Sequence, residues 1–403
     1  MARLVICLLF VASVVQGHHD KYEGHQLYRV GGSSQDIAEL EGVLDILSAT
    51  PVSRSTSGQL EALLRLSPEE REKWLQYFNE KGMSYTKIAD NLADILRDEE
   101  DKIKASRASA QRSGRSMTWE TYYRYDEMNA HLDELGEKYP DVLTVINAGL
   151  SYEGRQIKYV RISTSRFEDL RKPVIVLDAA VHAREWLTDN LDWIIIPMIG
   201  KTSKLKVKES KDRMWRKTRS RSHEGADECP GVDGNRNFDH EWGTRNESAD
   251  PCSIIYEGPA PFSEPEIRVI RDAILPHLKR TALYISIHSF GNMFLYAWGN
   301  NGSLPSNALS LHLAGVKMAE EIDKLKLEKA PAYIVGNAAQ VLYYSSGTSR
   351  DWTRAVGIPL TYTLELPGYE YNFLVPPEYI EQIVTETWAG IAAGARYVIS
   401  LYY

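Results

Sequence analysis

The sequence predicts an α/β protein, with a sheet buried on both faces and a smaller α+β domain ahead of it. Three observations carry this. The chain has 403 residues, more than the roughly 100–200 usual for one domain, so a small domain beside a large one is expected. From Trp119 onward, compact apolar runs (KYVRIST, PVIVLDAAV, WIIIPMI, LYISIHSF, PLTYTLEL) alternate with helix-like stretches at Tyr123–Tyr139, Ser263–Lys279, Ser306–Leu325 and Pro377–Ile399. Continuous apolar strands between helices indicate strands covered on both sides. The composition, 43% hydrophobic and 25% charged, is that of a folded globular chain and excludes a disordered, collagen-like or coiled-coil protein. A net charge of −8 argues against a nucleic-acid partner.

Residues 1–17, MARLVICLLFVASVVQG, read as a secretory signal peptide: basic Arg3, an apolar run from Leu4 to Val15, and small residues closing at Gly17. The run is shorter than the about 18–20 apolar residues that span a bilayer, and no later segment qualifies, so a secreted, extracellular chain without a membrane partner is expected. Residues 18–101 form the small domain. It holds a strand in HQLYRV, a helix in SQDIAELEGVLDIL, a loop at Pro51, and a second helix opening at Ser67-Pro68-Glu69-Glu70 with Ser as cap and acids in the first turn. Residues 102–115 lack apolar periodicity and read as an exposed linker that offers Arg107, Arg112 and Arg115 to a trypsin-like protease. A secreted chain with a small domain before a larger one suggests a prosegment cleaved after Arg112 or Arg115, leaving 116–403. Once Cys7 leaves with the signal, Cys229 and Cys252 remain, and an oxidising compartment allows them one disulfide, contributing about 2–4 kcal/mol. Asn246-Glu-Ser and Asn301-Gly-Ser are glycosylation sequons.

His182-Ala-Arg184-Glu185-Trp follows the buried run PVIVLDAAV. His182 and Glu185, three apart, share one side of a helical turn, where a single metal could take both. Alone this pattern is weak, since a chain with ten His residues shows about one such match by chance. Ser286-Ile-His288-Ser289-Phe290 ends another apolar strand and supplies a remote third ligand. Two near ligands plus one distant, with a fourth position open, is the pattern of catalytic rather than structural zinc. Such a site needs a base, and Glu365 emerges from the strand TYTLEL, where open α/β sheets carry functional groups. Arg213 and Arg216 in DRMWRKTRS, with Asn235-Arg236 in GVDGNRN, are donors suited to a carboxylate.

HAREW, DRMWRKTRS, CPGVDGNRN, SIHSF, Tyr343 with GTSRDW, and TLEL, in that order, resemble the secreted zinc metallocarboxypeptidases of the pancreatic carboxypeptidase A/B family. The resemblance spans nearly the whole chain, because YEGHQLYRV and SPEEREKWLQYFNEKG look like that family's prosegment. It implies a mixed, mostly parallel twisted sheet with helices on both faces, preceded by an open-sandwich prosegment. It further implies one Zn2+ per chain on His182, Glu185 and His288, oriented through Asp233, with Glu365 as base and then acid, and Arg216 polarising the scissile carbonyl. Asn235, Arg236 and Tyr343 would hold the substrate's terminal carboxylate, and Arg184, Ser289 and Phe290 would line the peptide path. Cys229 and Cys252 match the family's disulfide. Position 350 lies at the floor of the family's side-chain pocket; here it is Arg350, whose natural partner in a closed pocket is a carboxylate. The expectation is a monomeric exopeptidase zymogen acting on peptide and protein C-termini, with preference for acidic terminal residues. Its rivals are release of aromatic and aliphatic residues, should Arg350 turn outward or pair internally, and an inactive peptide-binding variant.

The chain departs from the family after HAREW. Only Leu187 to Asp192 separate that motif from WIIIPMI, where the family has a crossover helix, and the family's Asn-Pro-Asp-Gly turn is replaced by GKTSKLKVKES. The expectation is that PVIVLDAAV and WIIIPMI are not joined as parallel neighbours in the usual way: the chain is truncated, or its sheet is locally rearranged.

Overall fold

The computed structural model describes residues 19–41, 43–52, 59–112, 117–118, 120–182, 184, 194–196 and 212–402. The expected signal peptide, Arg115, Glu185, the stretch 187–192 and the lysine-rich segment after Ile199 lie outside them.

The N-terminal part is an antiparallel four-stranded sheet in the order β2-β3-β1-β4. Its strands are β1 (Gln26–Ser33), β2 (Asp45–Pro51), β3 (Gln59–Leu66) and β4 (Ser84–Ala89). Two helices, α1 (Ser34–Leu40) and α2 (Arg71–Glu80), cover one face, with Ile37, Leu40, Trp74 and Phe78 packed on Tyr28, Val30 and Leu64. Side chains of the other face, Leu27, Leu47 and Leu63, pack on Leu92 and Leu96, and on Met214 and Phe373 of the larger part. An open sandwich is the result.

The predicted helix in SQDIAELEGVLDIL is shorter than expected. It stops at Leu40, and DIL enters β2 because pairing with β3, Ile46 opposite Leu64, outweighs local helix propensity. The second helix starts at Arg71, after a turn held by Ser67 Oγ accepting from the Glu70 amide. The predicted linker is also corrected, since helix α3 runs unbroken from Leu92 to Arg112. Leu92, Ala93 and Leu96 bury one end of it. Past residue 101 good helix formers take over, aided by one-turn ion pairs such as Lys102–Asp98 and Lys104–Glu100. Arg112 is its last residue.

The larger part is an eight-stranded sheet in the order β11-β10-β12-β9-β7-β8-β6-β5. Its strands are β5 (Leu143–Leu150), β6 (Gln156–Ile162), β7 (Val174–Ala179), β8 (Ile194–Ile196), β9 (Thr281–Ser289), β10 (Met293–Tyr296), β11 (Ile334–Asn337) and β12 (Leu360–Leu366). The sheet is mixed: β10–β11, β9–β12, β7–β9 and β7–β8 pair in parallel, the remaining pairs antiparallel. Helices α4 (Tyr125–Lys138), α6 (Ala308–Asp323) and α9 (Ile380–Tyr402) seat Leu132, Leu311, Met318 and Ile391 on Leu177, Ile285 and Leu364 of one face. Helices α5 (Pro265–Ile274) and α8 (Ser349–Ala355) seat Ile267, Ile270 and Trp352 on Val176 and Tyr284 of the other. A short helix, α7 (Ala338–Val341), follows β11. Every residue of β9 is buried, whereas the edge strand β5 is largely exposed.

Contrary to expectation, β7 and β8 do pair in parallel, Leu177 with Ile195 and Asp178 with Ile196. Measured strand end to strand end, the connection is residues 180–193, fourteen residues between Ala179 and Ile194. That reaches the dozen or so a parallel crossover needs. The pairing it allows is short, with β8 only three residues long.

Candidate active site

Three central strands run in parallel and end at one rim. His182 lies three residues past β7, His288 is the penultimate residue of β9, and Glu365 is the penultimate residue of β12. Glu365 stands directly beside His288 in the β12–β9 register. The rings of His182 and His288 meet edge to face with centroids 5.0 Å apart. The strand ends thus bring His182 together with side chains more than a hundred residues away in the chain.

His182 Nε2 lies 2.9 Å from Asp233 Oδ1, and Asp233 Oδ2 accepts from Arg216 Nε and Nη2 at 3.0 and 2.7 Å. The same carboxylate caps the turn Gly234–Arg236 by accepting from the Asn235 amide. Burial by itself would raise the Asp233 carboxyl; the Arg216 guanidinium and the His182 imidazole override this and hold it well below the usual carboxylate range. One ionised acid therefore holds two of the expected functional groups. His288 Nε2 lies 3.1 Å from Ser286 Oγ. With Nε2 of each ring engaged by oxygen, Nδ1 is the nitrogen through which each imidazole would bind a metal. Two oriented imidazoles fit zinc. The third expected ligand, Glu185, is outside the described residues, and among those residues no group of three metal-ligating side chains occurs.

Arg236 and Asn235 form a buried donor pair. The Asn235 side-chain oxygen accepts from the Ser349 amide at 3.0 Å, and Gly347 presses against the pair so closely that a Cβ there would sit 2.2 Å from the Arg236 carbonyl. At a φ of +62°, only glycine serves well. Arg350, at the start of α8, points inward. Its guanidinium donates to Asp351 Oδ1 at 3.0 Å and reaches Thr363 and Thr348 hydroxyls at 3.3 Å. Asp351 in turn accepts from the Gly299 amide. One cleft is lined by His182, Arg216, Asn235, Arg236, His288, Ser289, Phe290, Tyr343, Arg350 and Glu365. Arg184 is buried beside it, its guanidinium 4.8 Å from the Phe373 ring.

Sequence reasoning missed the acids that the N-terminal part sets on arginines in and around this cleft. Glu41 accepts from Arg236 Nη2 at 3.0 Å, Asp45 from Arg184 Nη1 at 2.9 Å, and Glu99 of α3 takes Arg213 through both carboxylate oxygens. Residues 46–49 also line the cleft. No local signal marks these acids, because their partners lie more than a hundred residues away. Asp178 and Ser286, which back His288, were also missed, although Ser286 is two residues before His288 on a strand and so shares its face. Cys229 and Cys252 form the disulfide.

A family model described as zinc carboxypeptidase matches residues 128–196 and 187–390. The chain belongs to the zinc carboxypeptidase family. It is a metallocarboxypeptidase 40% identical to carboxypeptidase B of Helicoverpa zea, over 97% of each chain, and 29% identical to carboxypeptidase B of Rattus norvegicus over 98% of this chain and 99% of the relative. The crystal structure of carboxypeptidase A from Helicoverpa armigera superposes with a TM-score of 0.84 at 38% identity, covering 94% of this chain and 98% of that one. The family match breaks into two segments overlapping at 187–196, a range that includes the short connection Leu187–Asp192.

Proposed function

We propose that the chain is a secreted zymogen of a zinc exopeptidase that removes single C-terminal residues, with acidic residues preferred. The observation carrying this is the convergence of His182, His288, Glu365, Arg216, Arg236 and Arg350 on one cleft. Arg236, with Asn235 and Tyr343, receives the terminal carboxylate, which limits cleavage to the last peptide bond. Arg216 meets negative charge that develops on the scissile carbonyl oxygen. Glu365 takes a proton from the attacking water and returns it to the amine nitrogen as the C–N bond breaks. One zinc held by His182, His288 and Glu185 supplies, when bound, a Lewis acid that makes water more acidic and polarises a carbonyl.

Arg350 lies on the inner wall, where a glutamate or aspartate side chain entering the pocket would meet its terminal nitrogens. Nε is taken by Asp351, while Nη1 and Nη2 rest only on hydroxyls at 3.3–3.5 Å, so two donors face the pocket for a carboxylate. The Asp351 contact also favours a second reading, that Arg350 is neutralised internally and the pocket, whose wall includes Met293, Leu295 and Leu342, takes apolar residues. Zymogen status is supported by Glu41, which occupies Arg236 of the cleft, by Asp45, which occupies Arg184 beside it, and by the exposure of Arg112 at the end of α3. The sandwich is then the prosegment, and no helix among the described residues is long and apolar enough to cross a membrane.

The test is mass-spectrometric release from peptides ending in Glu, Phe and Lys, by trypsin-treated protein with and without a zinc chelator. Chelator-sensitive release of Glu above Phe supports the whole reading, Phe above Glu the second one. No release after verified cleavage leaves only a peptide-binding chain.

A further inference from the structure

The His288 arm of the site is built differently from the His182 arm. Strands β7 and β9 are aligned so that Asp178 stands opposite Ser286, and Ser286 shares its face of β9 with His288. Ser286 Oγ donates to Asp178 Oδ1 at 2.7 Å and lies 3.1 Å from His288 Nε2. A hydroxyl has one hydrogen and two lone pairs. With its hydrogen given to Asp178, Ser286 can only accept from His288, which places the ring proton on Nε2 and the lone pair on Nδ1.

Packing does not account for these residues. Asp178 and Ser286 are fully buried in the middle of an apolar sheet, where the carboxylate has the Ser286 and Tyr284 hydroxyls beside it and makes no salt bridge among the described residues. Burying a carboxylate away from a cation is destabilising. We infer that Asp178 and Ser286 form a relay that positions His288 for metal: a carboxylate acting through a hydroxyl, where His182 has its carboxylate directly. Neither is a catalytic residue. The inference rests on the zinc reading, in which His288 is a ligand. Outer partners of metal-binding histidines typically change metal affinity by about 10–100-fold.

The test compares full-length wild type, Ser286→Ala, Ser286→Thr, Asp178→Asn and Thr361→Val, the last removing a buried, unpaired hydroxyl on neighbouring β12. For each chain, folded by circular dichroism, zinc affinity is measured by competition with a chromophoric chelator, and the visible spectrum of the cobalt(II)-substituted protein is recorded. Expected are an about tenfold or greater loss of zinc affinity in Ser286→Ala, with an altered cobalt spectrum, recovery in Ser286→Thr, and a loss in Asp178→Asn. Thr361→Val should leave affinity and spectrum unchanged, whatever it does to the melting temperature. Wild-type affinity and spectrum in Ser286→Ala would overturn the relay, as would an equal loss in Thr361→Val, which would mean that any core lesion loosens the metal. A wild-type chain that takes up no zinc would instead remove the reading on which the relay rests.

Discussion

Glu39 and Glu41 are two residues apart in the sandwich, and each pairs with a cation at 3.0 Å. Glu39 meets Lys81 on the outer surface, with both side chains more than 40% exposed, whereas Glu41 meets Arg236 in the cleft, with both under 10% exposed. The same contrast separates the exposed pairs Arg97–Glu23 and Lys87–Asp90 from the buried pairs Asp45–Arg184 and Glu99–Arg213. An exposed pair contributes about 0–1 kcal/mol, because water screens it and two long side chains must be ordered. Breaking a buried pair leaves a charge without solvent and costs about 3–5 kcal/mol. Distance alone therefore says little. What matters is that Glu41 of the sandwich sits on Arg236, a cation proposed to serve the substrate.

Four predictions would break or sharpen this contrast, three on turnover and release in falling order of expected effect, and one on stability. Glu365→Gln, in the cleft, is expected to lower kcat by about 10²–10⁴-fold, while Glu370→Gln, exposed on the loop that follows, should leave kcat within twofold. Steady-state kinetics on one peptide measures both, and an equal effect would erase the distinction between the two acids. Glu41→Ala should speed loss of the sandwich after cleavage by about 30-fold or more, as expected when one partner of a buried charge pair is removed. Glu39→Ala should change it less than about fivefold. Size-exclusion chromatography at intervals after trypsin treatment would show which holds. Arg350→Ile should lower the ratio of Glu to Phe release by about tenfold or more, the scale on which a lost charged contact shifts selectivity; an unchanged ratio removes Arg350 from specificity.

The prediction on stability concerns a buried acid for which burial outweighs the nearby Arg268 charge. Glu266 is 1% exposed, and burial pushes its carboxyl up to about 7. The folded state therefore keeps a proton that the unfolded chain releases above about 4.5, so stability falls as pH rises from about 4.5 to 7. Glu266→Gln should melt higher than wild type above pH 7, by on the order of 3 kcal/mol at most, with the gain disappearing below pH 4.5. Thermal melts at pH 4 and pH 8 test this, and a gain at both would point to packing rather than charge.

Much of the larger part was legible along the chain. The apolar runs marked β7, β9 and β12, and the residues that close them, His182, His288 and Glu365, stand at one rim because parallel strands end together. Helices α4, α5, α6 and α9 followed from their periodicity within a few residues. Reading failed where a long-range partner overrode local preference, as in β2, and where a polar helix lacked an apolar stripe, as in α3 beyond residue 101. Sequence could single out Arg350 through the family resemblance, but not the inward turn of its guanidinium or its contact with Asp351. Nor could it connect Asp178 to Ser286, since strand register is a property of the assembled sheet.

Sequence by itself determined the chemistry available: two imidazoles and a carboxylate at strand ends, arginines suited to a carboxylate, and two cysteines left for one bridge. These follow from residue type and spacing, which are local. Tertiary structure decided which charges are buried and what faces them: Glu41 on Arg236, Asp233 between His182 and Arg216, and Ser286 between Asp178 and His288. The energy of a charge or a polar group depends on its solvent exposure and its partner, and the fold supplies both from residues far apart in the chain.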